Sequence, residues 1–446
     1  MVFQDTPLDA EAEQEQLGEP EPRFAEPTSP ASTVATTAEP RLDGTRVAMI
    51  NWRDPWQAAA GGAEEYAWRM CQHLIGRGAH VTFLTSREPG QSRTETVRGV
   101  TLRRMGGRFT VYMWVLLWLL LHRRRFDIAL DCMNGIPFFS RLVLPSRTHV
   151  VSVVHHVHDL QFCAYFSRPV AWLGRFIEGP VASWVYRCCP TVTVSNSSRQ
   201  AMRDKLGWRA PISVIHNGAP PVPTPEPETV GLQTPTVPSV PTVPTVPSVP
   251  SVPTVPSARP EPEELGSPAL VSLGRLVVQK RVTRLVDVVA DLQQDWPELR
   301  AHIVGRGPQR EPLTQRTHEL GLSGRIVLHG FVPQQVRDDL LARAHLHVTA
   351  AEFEGWGLTV LEAAALGVPT VAYDVDGLRD SVRDRVTGWL VRDGQSLSQV
   401  VDAALRELAD PRRAAEISRA CQQWAASFTW ERSGREMTWL LAGLSR

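Results

Sequence analysis

Short apolar runs alternate with amphipathic stretches in a first block of the chain. The runs predict six buried strands, at residues 46–51, 80–85, 128–131, 149–155, 191–195 and 212–215. A helix is predicted over residues 61–77, because an amphipathic pattern there stops at Gly78. Strands that alternate with helices are typical of a parallel sheet covered on both faces.

A second block repeats this alternation. Its predicted strands are residues 269–273, 301–304, 325–328, 345–349 and 370–372, and a helix is predicted over 282–294. The chain is therefore predicted to be an α/β protein with two doubly wound domains. Ligands of such sheets bind at the carboxyl ends of the strands, so we expect the functional site in a cleft between the domains.

Two low-complexity segments set the predicted domain limits. Residues 1–43 are rich in Glu, Pro, Ala, Ser and Thr, which predicts a disordered tail. Residues 220–266 repeat a Val-Pro-Ser/Thr triplet, which predicts a semi-rigid polyproline II linker. These limits leave a first domain at 44–219 and a second at 267–428. A last helix at 429–446 is expected to cross back to the first domain.

Composition and charge exclude several classes of protein. Lys plus Arg and Asp plus Glu both number 47, and no zinc-finger spacing occurs, so nucleic acid is not an expected partner. The cysteines lack metal-ligand spacing and the polar, acidic beginning lacks an export signal, which favours the cytoplasm. They are Cys71, Cys132, Cys163, Cys188, Cys189 and Cys421.

One apolar run, VYMWVLLWLLL at residues 111–121, permits two interpretations. At 11 residues it is too short to span a bilayer, which needs about 20. A helix buried in the core is the favoured interpretation. The alternative is a helix that rests on an anionic membrane surface, because three arginines follow at residues 123–125.

The segment EGWGLTVLE at residues 354–362 carries the clearest chemistry. It follows an apolar strand and opens a helix, a pattern that predicts a phosphate site at the helix N-terminus. Gly355 and Gly357 permit close approach of the backbone to a ligand. Glu354 and Glu362 flank that site, where carboxylates would accept hydrogen bonds from sugar hydroxyls. The alternative is that both glutamates are ordinary surface charges.

A second segment, GRLVVQK at residues 274–280, places two cations after the first strand of the second block. Lys280 is one of only two lysines in the chain, the other being Lys205. The chain otherwise uses arginine, so a lysine at this position suggests that a compact ammonium group is needed there. The predicted role is to bind a pyrophosphate together with Arg275. A surface charge pair is the alternative.

These segments resemble the retaining GT-B nucleotide-sugar transferases of glycosyltransferase family 4, also called glycosyl transferases group 1. Further segments that carry the resemblance are VTVSNSSRQAM, VIHNG, IVGRGP and LHGFVP. The resemblance implies the GT-B fold, with two Rossmann-like doubly wound domains facing an interdomain cleft. It also implies transfer of a hexose from GDP-mannose or a UDP-hexose, with retention of anomeric configuration. The acceptor would be a glycan, a lipid-linked sugar or a small molecule. No metal and no cofactor besides the donor sugar nucleotide are expected.

The resemblance assigns roles to individual residues. Arg275 and Lys280 would bind the donor diphosphate, Glu354 the hydroxyls of the transferred sugar, and Glu362 the ribose. Many relatives carry serine where this chain has Ala351, which removes one hydroxyl contact. The remaining donor-binding residues implied are Gly61, Gly62, Gly274, Gly305, Phe331, Val332, Trp356, Gly357, Leu358 and Thr359.

The family also places a functional histidine after a first-domain strand. The segment VVSVVHHVHD offers His155, His156 and His158, and the strand register favours His155, followed by His156. Each of them could instead be a core residue. Asp374-Val375-Asp376 has the spacing of a metal motif but is expected to follow a strand without binding metal.

Two other functions fit parts of the pattern. A catalytically silent sugar-nucleotide-binding protein would keep the phosphate site without turnover. A glycoside hydrolase would use Glu354 and Glu362 as its carboxylate pair, but it would have no use for a phosphate site. A nicotinamide dehydrogenase is disfavoured because no G-x-G-x-x-G segment follows the first strand of either block.

Overall fold

The computed structural model describes residues 39–57, 59–158, 162, 167–222 and 266–444. From Pro40 onward these residues belong to one compact unit. Most of the predicted disordered tail and most of the predicted Pro-rich linker lie outside the described residues.

The first block folds into an eight-stranded sheet with the order β3-β4-β2-β1-β5-β6-β7-β8. Its strands are β1 (Arg46–Ile50), β2 (His80–Thr85), β3 (Thr94–Val97), β4 (Val100–Arg104), β5 (Ile128–Met133), β6 (His149–Val154), β7 (Thr191–Thr193) and β8 (Ile212–Val214). All neighbours are parallel except β3 and β4, which form an antiparallel pair at the edge. The six predicted strands are confirmed, whereas β3 and β4 were not predicted because the residues of β3 are mostly exposed and polar.

The second block forms a six-stranded, entirely parallel sheet with the order β11-β10-β9-β12-β13-β14. Its strands are β9 (Ala269–Leu273), β10 (Arg300–Val304), β11 (Ile326–Gly330), β12 (Leu346–Thr349), β13 (Thr370–Tyr373) and β14 (Gly388–Val391). The predicted pair of parallel-sheet α/β domains is therefore confirmed. The short edge strand β14 was missed.

Helices cover both sheets. They are α1 (Gly62–Gly76), α2 (Val111–His122), α3 (Arg168–Phe176), α4 (Ala182–Val185), α5 (Asn196–Leu206), α6 (Thr283–Leu292), α7 (Arg310–Glu319), α8 (Gln334–Ala342), α9 (Leu358–Ala365), α10 (Leu378–Ser381), α11 (Leu397–Leu408), α12 (Pro411–Ala426) and α13 (Trp430–Leu444). The last helix, α13, packs on α1, where the ring of His73 leaves no room for a side chain at Gly434.

The apolar helix α2 is buried on one face only. Val111, Val115 and Leu119 lie in the core below it, at a spacing of four residues, whereas Trp114 and Leu121 are 47% and 72% exposed. The expectation of a fully buried helix is therefore wrong for its outer face. None of the described helices is long and apolar enough to cross a membrane.

Hydrogen bonds at the start of α5 join the two sheets. The amide and hydroxyl of Ser197 donate to Asp380, at 2.7 and 2.9 Å, and the amide of Gly377 donates to the Ser197 hydroxyl at 2.7 Å. Since Ser197 follows β7 and Gly377 follows β13, these contacts bring the carboxyl ends of both sheets together. The loops that follow the strands therefore meet in one place.

Candidate active site

The loop between β12 and α9 lies against the end of β6. A side-chain carbon at Gly355 would lie 2.5 Å from the carbonyl oxygen of His155, and Gly357 has a φ of +93°, so glycine suits both positions. The indole of Trp356 is buried and stacks on His216 at 4.4 Å. The buried indole is therefore not available to a ligand.

The glycine pair of the first domain faces this loop. A side-chain carbon at Gly62 would lie 2.7 Å from Leu358 Cδ1, and one at Gly61 would lie 3.9 Å from Arg275 Nε. The loop after β1 therefore touches both the N-terminus of α9 and the cation loop after β9. Sequence analysis predicted each of these segments, and the fold brings them together.

Glu64 holds the glycine pair in place, a role that sequence analysis did not identify. Its carboxylate accepts a hydrogen bond from the Gly61 amide at 2.7 Å and forms an ion pair with Arg53 at 3.3 Å. Burial lowers the pKa of the Arg53 guanidinium, Glu64 opposes this effect, and the neighbouring charges of Arg275 and Arg108 lower it further. Glu64 stands three residues after Gly61, a capping-box spacing that the sequence does contain.

Lys280 and Glu354 form a direct ion pair, with their side chains 20% and 21% exposed. Lys280 ends a short 3₁₀ turn, Val278–Lys280, which the Glu352 amide anchors by donating to Gln279 at 2.9 Å. Burial raises the pKa of Glu354, but Lys280, His156 and the Gly355 amide together outweigh burial and lower it. Sequence analysis placed these two residues on different parts of a donor, and the structure places them in contact.

Arg275 is exposed, and no residue in the described part of the chain forms an ion pair with it. Backbone contacts hold the loop of Arg275 in place. Gly274 and Gly305 have φ values of +139° and +146°, and their backbones touch. The Gly305 amide also donates to the Gly330 carbonyl at 2.7 Å. The guanidinium of Arg275 is therefore available at the rim of a rigid set of loops.

Glu362 lies in the second turn of α9 and pairs with Arg337 of α8 at 3.0 Å. Burial raises the pKa of Glu362, while the Arg337 charge opposes the rise. Arg337 also contacts Asp338 at 2.8 Å, so it lies between two carboxylates. Sequence analysis did not identify Arg337, because nothing in the helix QQVRDDLLA distinguishes it from a surface arginine.

The three candidate histidines have different surroundings. His155 is buried against the ring of Tyr66 at 5.2 Å, and burial, followed by His156 and His158, lowers its pKa to about 3. His158 donates from its amide to the buried Glu178 at 2.8 Å. His156 lies 3.9 Å from the ring of His158, and its charge helps lower the pKa of Glu354. His156 is therefore the histidine of the three that lies near Glu354.

Phe331, Val332 and Thr359 complete the predicted set. Phe331 is 69% exposed, and the guanidinium of Arg306 lies 4.5 Å from the centre of its ring. Val332 packs beside the second sheet. Thr359 is half-buried in the first turn of α9. Phe331 thus keeps an exposed aromatic ring next to the Gly305 loop.

The Asp374-Val375-Asp376 segment follows β13, as expected. Asp374 and Asp376 pair with Arg379 at 2.5 and 3.4 Å, and Asp376 also lies 3.5 Å from Lys205. Both carboxylates therefore already face basic side chains, and both residues are half-buried.

Two facing α/β sheets, with a phosphate-type helix terminus and two cations where their carboxyl ends meet, define the GT-B class of nucleotide-sugar-binding folds. The model of the family "Glycosyl transferases group 1" matches residues 257–424, and the model "Glycosyltransferase Family 4" matches residues 60–221. The chain belongs to glycosyltransferase family 4.

Curated relatives match part of the chain. A GDP-mannose-dependent alpha-(1-6)-phosphatidylinositol monomannoside mannosyltransferase of Mycolicibacterium smegmatis is 32% identical over 184 residues, 40% of this chain and 48% of the relative. A D-inositol 3-phosphate glycosyltransferase of Salinispora tropica is 34% identical over 177 residues, 37% of this chain and 36% of the relative. The chain thus spans half or less of the length of these relatives.

Solved structures share the fold across nearly their whole length. Sucrose-phosphate synthase from Thermosynechococcus elongatus has a TM-score of 0.69 at 18% identity, covering 90% of this chain and 99% of the other. A glycosyltransferase from Rickettsia africae has a TM-score of 0.65 at 14% identity, covering 90% and 98%. At these identities the likeness establishes the fold alone.

Proposed function

We propose that the protein is a glycosyltransferase that moves a hexose from a nucleotide diphosphate sugar to an acceptor. One observation carries the proposal: Arg275, the Lys280–Glu354 pair and the N-terminus of α9 meet opposite the Gly61–Gly62 loop. This arrangement gathers positive charge and backbone amides around a space bounded by both sheets. A diphosphate is the ligand that such a space fits best.

The cations would stabilise the leaving group. As the bond from the sugar to the diphosphate breaks, negative charge develops on the diphosphate, and fixed cations lower the energy of that state. Arg275 is available for this role without breaking an ion pair among the described residues. Lys280 would exchange Glu354 for a phosphate oxygen, which releases the Glu354 carboxylate for the sugar hydroxyls.

Glu362 and His156 would orient the donor. Glu362 would accept hydrogen bonds from the ribose, with Arg337 holding its carboxylate at 3.0 Å. His156 would contact the sugar or the acceptor beside Glu354. His155 is buried, so its side chain would support the loop rather than contact the ligand.

The reaction would proceed with retention of anomeric configuration and without a metal ion. Glu362 would stay paired with Arg337, and Glu354 is assigned to the sugar hydroxyls, so neither carboxylate is proposed as a nucleophile. Arg275 and Lys280 would supply the charge that a divalent ion supplies elsewhere. Analysis of the product anomer by NMR tests retention, and transfer measured in excess EDTA tests metal independence.

GDP-mannose and UDP-hexoses are the proposed donors, and GDP-mannose is the first to test because the Mycolicibacterium relative is named GDP-mannose-dependent. The acceptor would be a glycan, a lipid-linked sugar or a small molecule. We also propose a cytoplasmic location with peripheral contact to the inner membrane face through α2, whose outer face exposes Trp114 beside the arginines at 123–125.

The test is thermal-shift screening against GDP, UDP, GDP-mannose and UDP-glucose, followed by transfer assays with the donor that binds. A ligand at 100 times its Kd stabilises the folded state by about 2.7 kcal/mol. No shift with any nucleotide contradicts the proposal. Binding without transfer across a broad acceptor panel would instead support a silent sugar-nucleotide-binding protein.

A further inference from the structure

Exposed apolar side chains are concentrated in one part of the first domain. Among the described residues, 19 large hydrophobic side chains are exposed, and 12 of them fall between residues 109 and 184. We call these 12 the apolar face. They are Phe109, Met113, Trp114, Leu117, Leu120, Leu121, Leu142, Val170, Trp172, Leu173, Phe176 and Trp184.

The apolar face has two parts, on α2 and on the segment from α3 to α4. In the second part α3 runs through a π-helical turn, Ile177–Val181, directly into α4. Trp172 and Phe176 stack on each other at 5.4 Å on its exposed side. Five of the 12 side chains belong to this second part, which the sequence analysis did not single out.

Both parts lie on the same side of the first sheet. The buried sides of α2 and α4 contribute Val115 and Ala182 to one hydrophobic cluster, whereas α1 and α13 pack on the opposite cluster. The segment between β5 and β6 connects them. Its Phe138 contacts Tyr112 at 4.7 Å, and its Phe139 contacts Tyr186 at 6.4 Å. The two parts therefore form neighbouring areas of one surface.

The charge around the apolar face is positive, although the whole chain is balanced. Nine arginines lie between residues 105 and 187: Arg108, Arg123, Arg124, Arg125, Arg141, Arg147, Arg168, Arg175 and Arg187. The described carboxylates of this stretch are Asp127, Asp131 and Glu178. Asp127 pairs with Arg46 at 2.7 Å, and the other two are buried. Nine arginines therefore stand against three described carboxylates in this stretch.

We infer that α2 and the α3–α4 segment dock together on an anionic lipid bilayer. Tryptophan and leucine beside arginine suit the boundary between acyl chains and anionic headgroups. A depression lined by Leu120, Leu121 and the basic residues 122–125 ends the α2 part, where a headgroup phosphate would fit. A second contact area fixes the orientation of the domain, which a single helix does not.

Docking in this orientation serves the proposed function, on which this part of the inference rests. The apolar face begins at the cleft, because the Trp52 indole donates to the Arg108 carbonyl at 2.8 Å and Trp52 lies beside Arg53 at 4.2 Å. Arg53 in turn pairs with Glu64 of the glycine loop. A lipid-linked acceptor would therefore reach the site from the bilayer along α2.

The test is co-flotation with phosphatidylglycerol/phosphatidylcholine vesicles and with pure phosphatidylcholine vesicles. The variant Trp172→Ser/Phe176→Ser/Trp184→Ser removes apolar area from the α3–α4 part alone. Trp439→Ser is the matched control, because Trp439 is 42% exposed on α13, on the other side of the sheet. We expect wild type and control to float with the anionic vesicles only, and the triple variant to partition about tenfold less.

The outcomes separate this inference from the proposed function. Native circular dichroism of the triple variant shows that it is folded, and Trp172→Gln alone provides a milder variant if it is not. Equal flotation of folded variant and wild type overturns the inference. The inference is also overturned if wild type does not bind the vesicles but forms a dimer that the triple variant does not form. A second copy of the chain would then cover the apolar face. Vesicle binding without any nucleotide shift overturns the proposed function instead.

Discussion

Arg275 and Lys280 differ in how the structure holds them, yet both are expected to act on the leaving group. Arg275→Ala and Lys280→Ala should each lower transfer on the order of 10²-fold or more, because each removes a preorganised charge. Lys205→Ala is the control, since Lys205 is the chain's other lysine, is half exposed and pairs with Asp376 rather than with a residue of the cation loop. Near-native turnover in a variant with native circular dichroism would refute the role of the altered residue.

Buried histidines predict how stability depends on pH. Burial, followed by the Lys280 charge, lowers the pKa of His347 to about 3, well below the ordinary value of 6.5. The unfolded chain then binds a proton that the folded chain does not, so stability is full above pH 6.5 and falls as pH decreases. The slope is about 1.4 kcal/mol per pH unit for one such histidine.

Chemical denaturation between pH 6.5 and pH 5 measures this slope. His347→Gln should reduce it by about 1.4 kcal/mol per pH unit, because the titrating group is gone. An unchanged slope in His347→Gln would mean that His347 is protonated in the folded protein.

At the scale of elements, the loop before α1 and the start of α9 form a close contact across the cleft. Gly62→Ala should weaken donor binding and transfer, because the added carbon would lie 2.7 Å from Leu358 Cδ1 and displace the Leu358 side chain at the N-terminus of α9. Gly76→Ala in the same helix is the control, since it meets open space and should stabilise the helix by about 0.5–1 kcal/mol. Unaltered transfer and KM in Gly62→Ala would show that the cleft works in a more open form.

The basic end of α2 predicts a salt-dependent membrane contact. Wild type should float with anionic vesicles at low salt, and the variant with Arg123, Arg124 and Arg125 changed to Gln should not, because each basic residue near the surface contributes about 1 kcal/mol. Physiological salt should weaken the contact. If neither protein floats at low salt, α2 is not a membrane helix and the acceptor is expected to be soluble.

At the scale of the whole molecule, the two sheets are tied by contacts outside the Pro-rich tract. The Ser197–Asp380 hydrogen bonds and the packing of α13 on α1 join described elements of both halves. Deleting residues 234–256, which lie outside the described residues, should therefore preserve nucleotide affinity measured by thermal shift. Loss of affinity in a folded deletion variant would make the tract part of the site.

The sequence alone determined the order of the elements and the positions of the two loops that are proposed to bind the donor. Eleven strands were predictable because buried strands of parallel sheets are continuous apolar runs. The glycine loop before α9 and the cation loop after β9 were predictable because their chemistry is local to one segment. The strands β3, β4 and β14 were not: β3 is polar and mostly exposed, β4 alternates buried with half-buried residues, and β14 has only four residues.

Only the tertiary structure decided which of these groups meet. Lys280 and Glu354 are 74 residues apart, and Arg337 and Glu362 are 25 apart, so neither ion pair has a periodic signature in the sequence. The same holds for burial: His155 lies in the core because Tyr66 of α1 packs on it, and α2 keeps an exposed apolar face because the sheet covers only its other side. Ion pairs and burial depend on contacts between segments that are distant in the sequence. The hydrophobic pattern of one segment does not indicate which distant segment packs on it.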